Sequence, residues 1–130
     1  MLLLDTHVWL WWLEGSPKLG AQARARLRAA EVPVYVSAAS AWEIGIKVGL
    51  GRLDLGEPPD VCLPREAKRS GFQPLPITLE HAVAVATLPP HHGDPFDRLL
   101  VVQAQREGLT IVTGDPKIAR YDVSTWDPSR

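Results

Sequence analysis

The sequence predicts an α/β fold in which helices cover both faces of a parallel sheet. Short apolar runs alternate with helical stretches along the whole chain. Those runs are near-continuously apolar, as suits strands buried on both faces rather than half in water. Acidic residues follow the first and a late run directly, at the strand ends where open α/β sheets carry their functional crevice.

Taken in order, Leu2-Leu3-Leu4 reads as a buried strand ending at Asp5. Val8 to Leu13 makes one or two apolar helical turns, closed by Gly15-Ser16-Pro17. A second helix is expected from about Lys18 to Ala30, rich in Ala, Arg and Leu, with no Gly or Pro after Gly20. The β-branched and aromatic run Pro33 to Ser37 is the second strand. Ser37 or Ser40 caps the next helix, which carries Trp42, Glu43, Ile44 and Lys47 and ends at Gly49 and Gly51. Residues 52 to 60 form a loop, and a helix fills Asp60 to Ser70 with Pro64 near its start. Gln73 to Ile77 is the third strand. Thr78 caps a short Ala/Val-rich helix that stops before Pro89-Pro90. Asp94-Pro95 opens a helix to about Glu107, Pro being favoured at the first helical position, and Gly108 ends it. Leu109 to Thr113 is the fourth strand, Gly114-Asp115-Pro116 turns into a short helix, and Val123 to Trp126 makes a last edge strand.

The chain of 130 residues has the size of one domain, spanning 1–130, with room for a core that needs no staples. Cys62 is the only cysteine, so a disulfide framework and a cysteine metal cluster are excluded, and its expected role is packing. The lone thiol fits a reducing cytoplasm. The apolar start is too short for a secretory signal, and no run reaches the ~20 apolar residues that span a bilayer. A soluble cytoplasmic protein without membrane contact is expected. The formal net charge of −1 argues against holding nucleic acid by bulk electrostatics alone. It leaves open a nuclease whose bound cations supply the local positive charge.

The carboxylates carry the chemistry. Asp5 follows the first strand, and Asp115 follows the fourth after one glycine. If those strands are neighbours, their acids face one another. Glu43 lies one turn into a helix leaving a strand, and Asp97 lies in the first turn after Asp94-Pro95. Each has a plain structural role available. Asp5, Asp94 and Asp115 can cap helices, Asp97 can complement a helix dipole, and Glu43 can pair with Lys47. Capping accounts for Asp94 well. Converging acids, however, raise each other's pKa values unless a cation neutralises them. An all-oxygen donor set selects hard ions such as Mg²⁺ or Mn²⁺.

Four segments, LLLDTH (2–7), SAASAWEIGIK (37–47), HHGDPFDRLLVVQA (91–104) and IVTGDP (111–116), resemble PIN domains. More narrowly they resemble the VapC-type toxins of toxin–antitoxin pairs. The resemblance covers nearly the whole chain. It implies a three-layer α/β/α fold with about five parallel strands in the order 3-2-1-4-5. It also implies a metal-dependent endoribonuclease, cutting RNA by a metal-activated water, with Asp5, Glu43, Asp97 and Asp115 as successive acids. Thr6 and Thr113 fall where hydroxyls border such a site. Dimerisation and inhibition by a cognate antitoxin are implied as well. Basic residues near the site are few: Lys47, Arg52 and Arg98 are the candidates for RNA contact.

Other residues are weighed similarly. Trp9 and Trp12 share a helix face while Trp11 points elsewhere; at least one belongs to the core, and part of this surface is expected to meet a partner. His7 is expected near the site, orienting a neighbour. His91 and His92, in a loop flanked by Pro and Gly, are expected outside the metal's coordination shell. Arg24, Arg26 and Arg28 are expected on a solvated helix face. An aspartyl-phosphate phosphatase using Asp5 is the competing enzyme class. A haloacid-dehalogenase-like enzyme would place a second Asp where His7 stands. A receiver-like module would need an Asp after Pro33–Ser37, which is absent. A non-catalytic PIN-like binding module would be expected to have lost an acid, and none of the four is missing. No phosphate-binding GxxxxGK[ST] loop and no GxSxG elbow occurs.

Overall fold

In the computed structural model, which describes residues 1–130, Leu2–Leu4 (β1) is the middle of a five-stranded sheet. Its neighbours are Val34–Ser37 (β2) and Thr110–Val112 (β4), with Gln73–Leu75 (β3) and Thr125–Trp126 (β5) at the edges. The order is β3-β2-β1-β4-β5 and every pairing is parallel. This is the expected order.

The strand period sorts β1 between two cores. Leu2 and Leu4 join Val8, Trp9, Leu19, Leu27, Ile44 and Leu63 on one face. Leu3 joins Leu100, Val101, Ile111 and Ile118 on the other. The first face is covered by helices Thr6–Glu14 (α1), Ala21–Arg28 (α2) and Pro59–Ser70 (α4). The second is covered by Pro95–Glu107 (α6). Helix Ala38–Gly49 (α3) supplies Ile44 to the first core and Ala39 to the second.

Several boundaries differ from expectation for local reasons. α2 begins at Ala21, and Gly20 at its N-cap has no side chain to satisfy the first turn. Instead the Gly20 and Gln22 N–H groups donate to the Pro128 and Arg130 carbonyls, at 2.9 and 2.8 Å. β3 stops at Leu75, since Pro74 and Pro76 lack the N–H that a longer ladder needs. The helix after Thr78 runs Leu79–Ala84 (α5) and tightens into a 3₁₀ turn, Val85–Thr87. Beyond Pro116 there is only a 3₁₀ turn, Ile118–Arg120.

Trp9 is buried in the core, whereas Trp11 and Trp12 are half-buried. Trp12 donates to Ser70 Oγ at 2.9 Å and packs on Phe72. Of the arginines of α2, Arg26 and Arg28 are exposed as expected of a solvated face, while Arg24 is half-buried. Arg24 donates to the carbonyls of Trp11 and Trp12, closing the C-terminus of α1 where a cation also complements the dipole. Arg26 lies over Trp126, and Arg28 over Trp12. Cys62 is buried, and burial pushes its thiol up. No helix is long and apolar enough to cross a membrane.

Candidate active site

The sheet register assembles the first part of the site. β1 and β4 pair with Leu4 opposite Val112, so the next residues along, Asp5 and Thr113, emerge side by side. The Asp5 N–H donates to the Val112 carbonyl at 3.1 Å. Thr113 Oγ1 donates to Asp5 Oδ2 at 2.6 Å and accepts the Asp115 N–H at 3.0 Å. The other Asp5 oxygen caps α1 by accepting the His7 N–H at 2.7 Å. Asp5 is thus a helix cap and a site carboxylate at once. This is the switch point of the fold: β1 leads to β2 on one side and pairs with β4 on the other.

α3 and α6 supply the rest. Ser37 ends β2, caps α3 by accepting the Ala39 N–H, and donates to Gln103 Oε1 of α6. Glu43 is buried on α3; its Oε2 lies 3.0 Å from Lys47 Nζ, while its Oε1 has no hydrogen-bond partner. Asp94 caps α6, accepting the N–H groups of Phe96 and Asp97. That leaves the Asp97 side chain, buried in the first turn, free to face the other acids. Asp97 Oδ2 lies 3.0 Å from His92 Nε2, which is also 2.9 Å from Asp115 Oδ2.

The charges respond to this crowding. Burial first, then the charges of Asp5 and Asp94, push Asp97 up to about 7; Glu43 adds to the rise and His92 opposes it. Burial would raise Asp5 too, but hydrogen bonds from the His7 ring, Thr113 and the His7 backbone hold its carboxyl below the usual range. The hydrogen bond to Asp5 in turn raises His7, against burial. A buried carboxylate oxygen without a donor, beside an acid that resists ionisation, is what a cation would remedy. The donor set of carboxylate oxygens fits Mg²⁺ or Mn²⁺.

The family model for the PIN domain matches residues 2–124. The chain belongs to the PIN-domain family. Ribonuclease VapC22 of Mycobacterium tuberculosis is 30% identical to this PIN domain over 130 residues, covering 96% of this chain and 98% of that protein. Ribonuclease VapC16 of the same organism is 38% identical over 69 residues, covering 50% of this chain and 49% of that protein. Among solved structures, VapBC2 from Rickettsia felis bound to a promoter DNA fragment superposes with a TM-score of 0.70 at 17% identity, covering 97% of this chain and 98% of that one. FitAB bound to IR36 DNA superposes with a TM-score of 0.68 at 22% identity, covering 100% and 96%. At those identities the structures speak to the fold alone.

Within this PIN domain several residues lie elsewhere than the sequence suggested. His92 is not a surface residue: its side chain is 11% exposed and touches two of the four acids. A loop flanked by Pro and Gly suggests solvent, whereas the nearness of His92 in sequence to Asp97 is the signal that places it at the site. Thr6 is buried, and its hydroxyl donates to Ser40 Oγ at 2.8 Å, joining α1 to α3. Arg98, expected as a candidate for RNA contact, uses its guanidinium for bonds within the chain. Its guanidinium donates to the carbonyls of Val85, Leu88, Pro89 and His92 and to Tyr121 Oη, which fastens the loop before α6. Lys47 lies against Glu43, and Arg52 is exposed beyond α3. Arg98→Ala should lower stability by about 2–3 kcal/mol, as removing a charged donor from several carbonyls does. Urea denaturation checks this; a loss under about 0.5 kcal/mol would mean the clamp contributes nothing.

Proposed function

We propose that this PIN domain, spanning 1–130, is a divalent-metal-dependent endoribonuclease and the toxin of a toxin–antitoxin pair. The unpartnered, buried Oε1 of Glu43, on an acid whose charge adds to the rise of Asp97, carries the metal half of this reading. The VapC relatives carry the ribonuclease half. Asp5, Glu43, Asp97 and Asp115 would hold Mg²⁺ or Mn²⁺. When bound, such an ion supplies an activated water and offsets charge on the phosphate. Thr113 orients Asp5 from one side and the His7 backbone from the other. Lys47 and Arg52 are the cations left to meet the RNA backbone. No side-chain nucleophile is required.

The aspartyl-phosphate alternative is disfavoured by Asp5 itself. Both of its oxygens already accept hydrogen bonds, from the His7 N–H and the Thr113 hydroxyl. Failure to trap a phosphoryl group on Asp5 would agree with that.

The test is cleavage of an RNA pool by the purified protein. Mg²⁺ or Mn²⁺ should support cleavage and a chelator should stop it. Cleavage that survives chelation would defeat the proposal. A homodimer, a cognate antitoxin and a cytoplasmic location belong to the same reading. Light scattering on the protein, alone and with the product of its neighbouring gene, examines the first two.

A further inference from the structure

His92 occupies the space between the third and fourth acids, and its ring reveals in which capacity. The ligand-type atoms of His92, Asp97 and Asp115 all lie within 4.8 Å of one another. Two chemistries suit such a cluster. Nε2 can offer a lone pair to a metal, or it can carry a proton shared by the two carboxylates. The other ring nitrogen separates them. Nδ1 accepts the Asp94 backbone N–H at 3.1 Å. A neutral imidazole has one N–H and one lone pair. With the lone pair at Nδ1, the proton is on Nε2 and points between Asp97 Oδ2 and Asp115 Oδ2. The opposite tautomer, which a metal–Nε2 bond needs, would set the Nδ1 proton against the Asp94 N–H. The backbone that carries the ring is held as well. The His92 N–H donates to Tyr121 Oη at 2.9 Å, and Arg98 donates to the His92 carbonyl.

We infer that His92 is a positioning residue whose shared Nε2–H ties Asp97 to Asp115, and that a cation entering between these acids must displace this N–H rather than gain a nitrogen ligand. The inference rests on the metal-site reading and deepens it. The site stays an all-oxygen one, which favours hard ions over those that seek imidazole. The Asp94 cap acquires a second task, since its own N–H selects the tautomer of His92.

Calorimetric Mn²⁺ titration of the full chain separates placeholder from ligand. His92→Ala removes the competing donor, so Mn²⁺ should bind about tenfold more tightly than to the wild type. His92→Gln, whose amide restores an N–H at similar reach, should stay within about threefold of wild type. Weaker binding to His92→Ala would make His92 a ligand, and unchanged binding would make it a bystander; either overturns the inference. Should His92→Ala fail to fold, ¹⁵N imidazole spectra of the metal-free wild type decide: Nε2 protonated and Nδ1 bare is expected. A proton on Nδ1 refutes it. A wild type that binds no Mn²⁺ would end the metal reading and the competition with it, while the spectra would still judge the hydrogen bond.

Discussion

Asp5→Asn is expected to reduce RNA cleavage on the order of a thousandfold while leaving the protein folded. Loss of a residue that merely orients a metal ligand costs roughly 10–100-fold, so loss of a proposed ligand at the centre of the site should exceed it. The substitution is nearly isosteric. Its remaining oxygen can still accept the His7 N–H and cap α1, as Asp5 Oδ1 does. The new amide faces Thr113 Oγ1, which must turn its own proton away to accept it. The stability penalty should therefore be about 1 kcal/mol. Initial rates at saturating Mn²⁺, with urea melts alongside, separate lost chemistry from lost structure. A folded variant that cleaves within about tenfold of wild type would remove Asp5 from the chemistry, the loss then being no more than an orienting residue gives.

Asp97→Asn should do the reverse to stability. Asp97 rises from an ordinary 3.8 to about 7 in the folded protein. Across that interval the folded state keeps a proton that the unfolded state has released, so stability falls as pH rises through it. Asparagine cannot ionise and escapes this loss. The metal-free variant should therefore melt about 4 °C or more above wild type near pH 7.5, with the two converging near pH 4. Mn²⁺ should invert the ranking, because it stabilises only a protein that binds it. Melting scans at several pH values, with and without Mn²⁺, check both halves. A variant no more stable than wild type at pH 7.5 would mean that the acids do not strain the metal-free protein.

Much of this was legible in local sequence. Asp5 and Asp115 stand out because apolar strands point at them, and parallel pairing then leaves little choice about where they meet. Helix ends followed side-chain and backbone rules: Asp94-Pro95 opens α6, and Gly108, at φ 68°, closes it. Contacts made by loops across the fold were not legible. Nothing near Arg98 in sequence announces that it gathers carbonyls from residues 85 to 92, nor that Tyr121 anchors His92. The start of α2 against Pro128 and Arg130 is similar, since a glycine cap conceals where its partner will come from.

The central strand precedes the other four strands in the chain, yet one of its two neighbours, β4, is the fourth of the five. During synthesis β1 can find β2 early, but its other edge stays open until residue 112 has left the ribosome. Asp5 waits for Thr113 and Asp115 over the same interval. A nascent chain built this way carries no assembled site until β4 has emerged. The interval in which that apolar edge is bare is also when the chain is most exposed to aggregation.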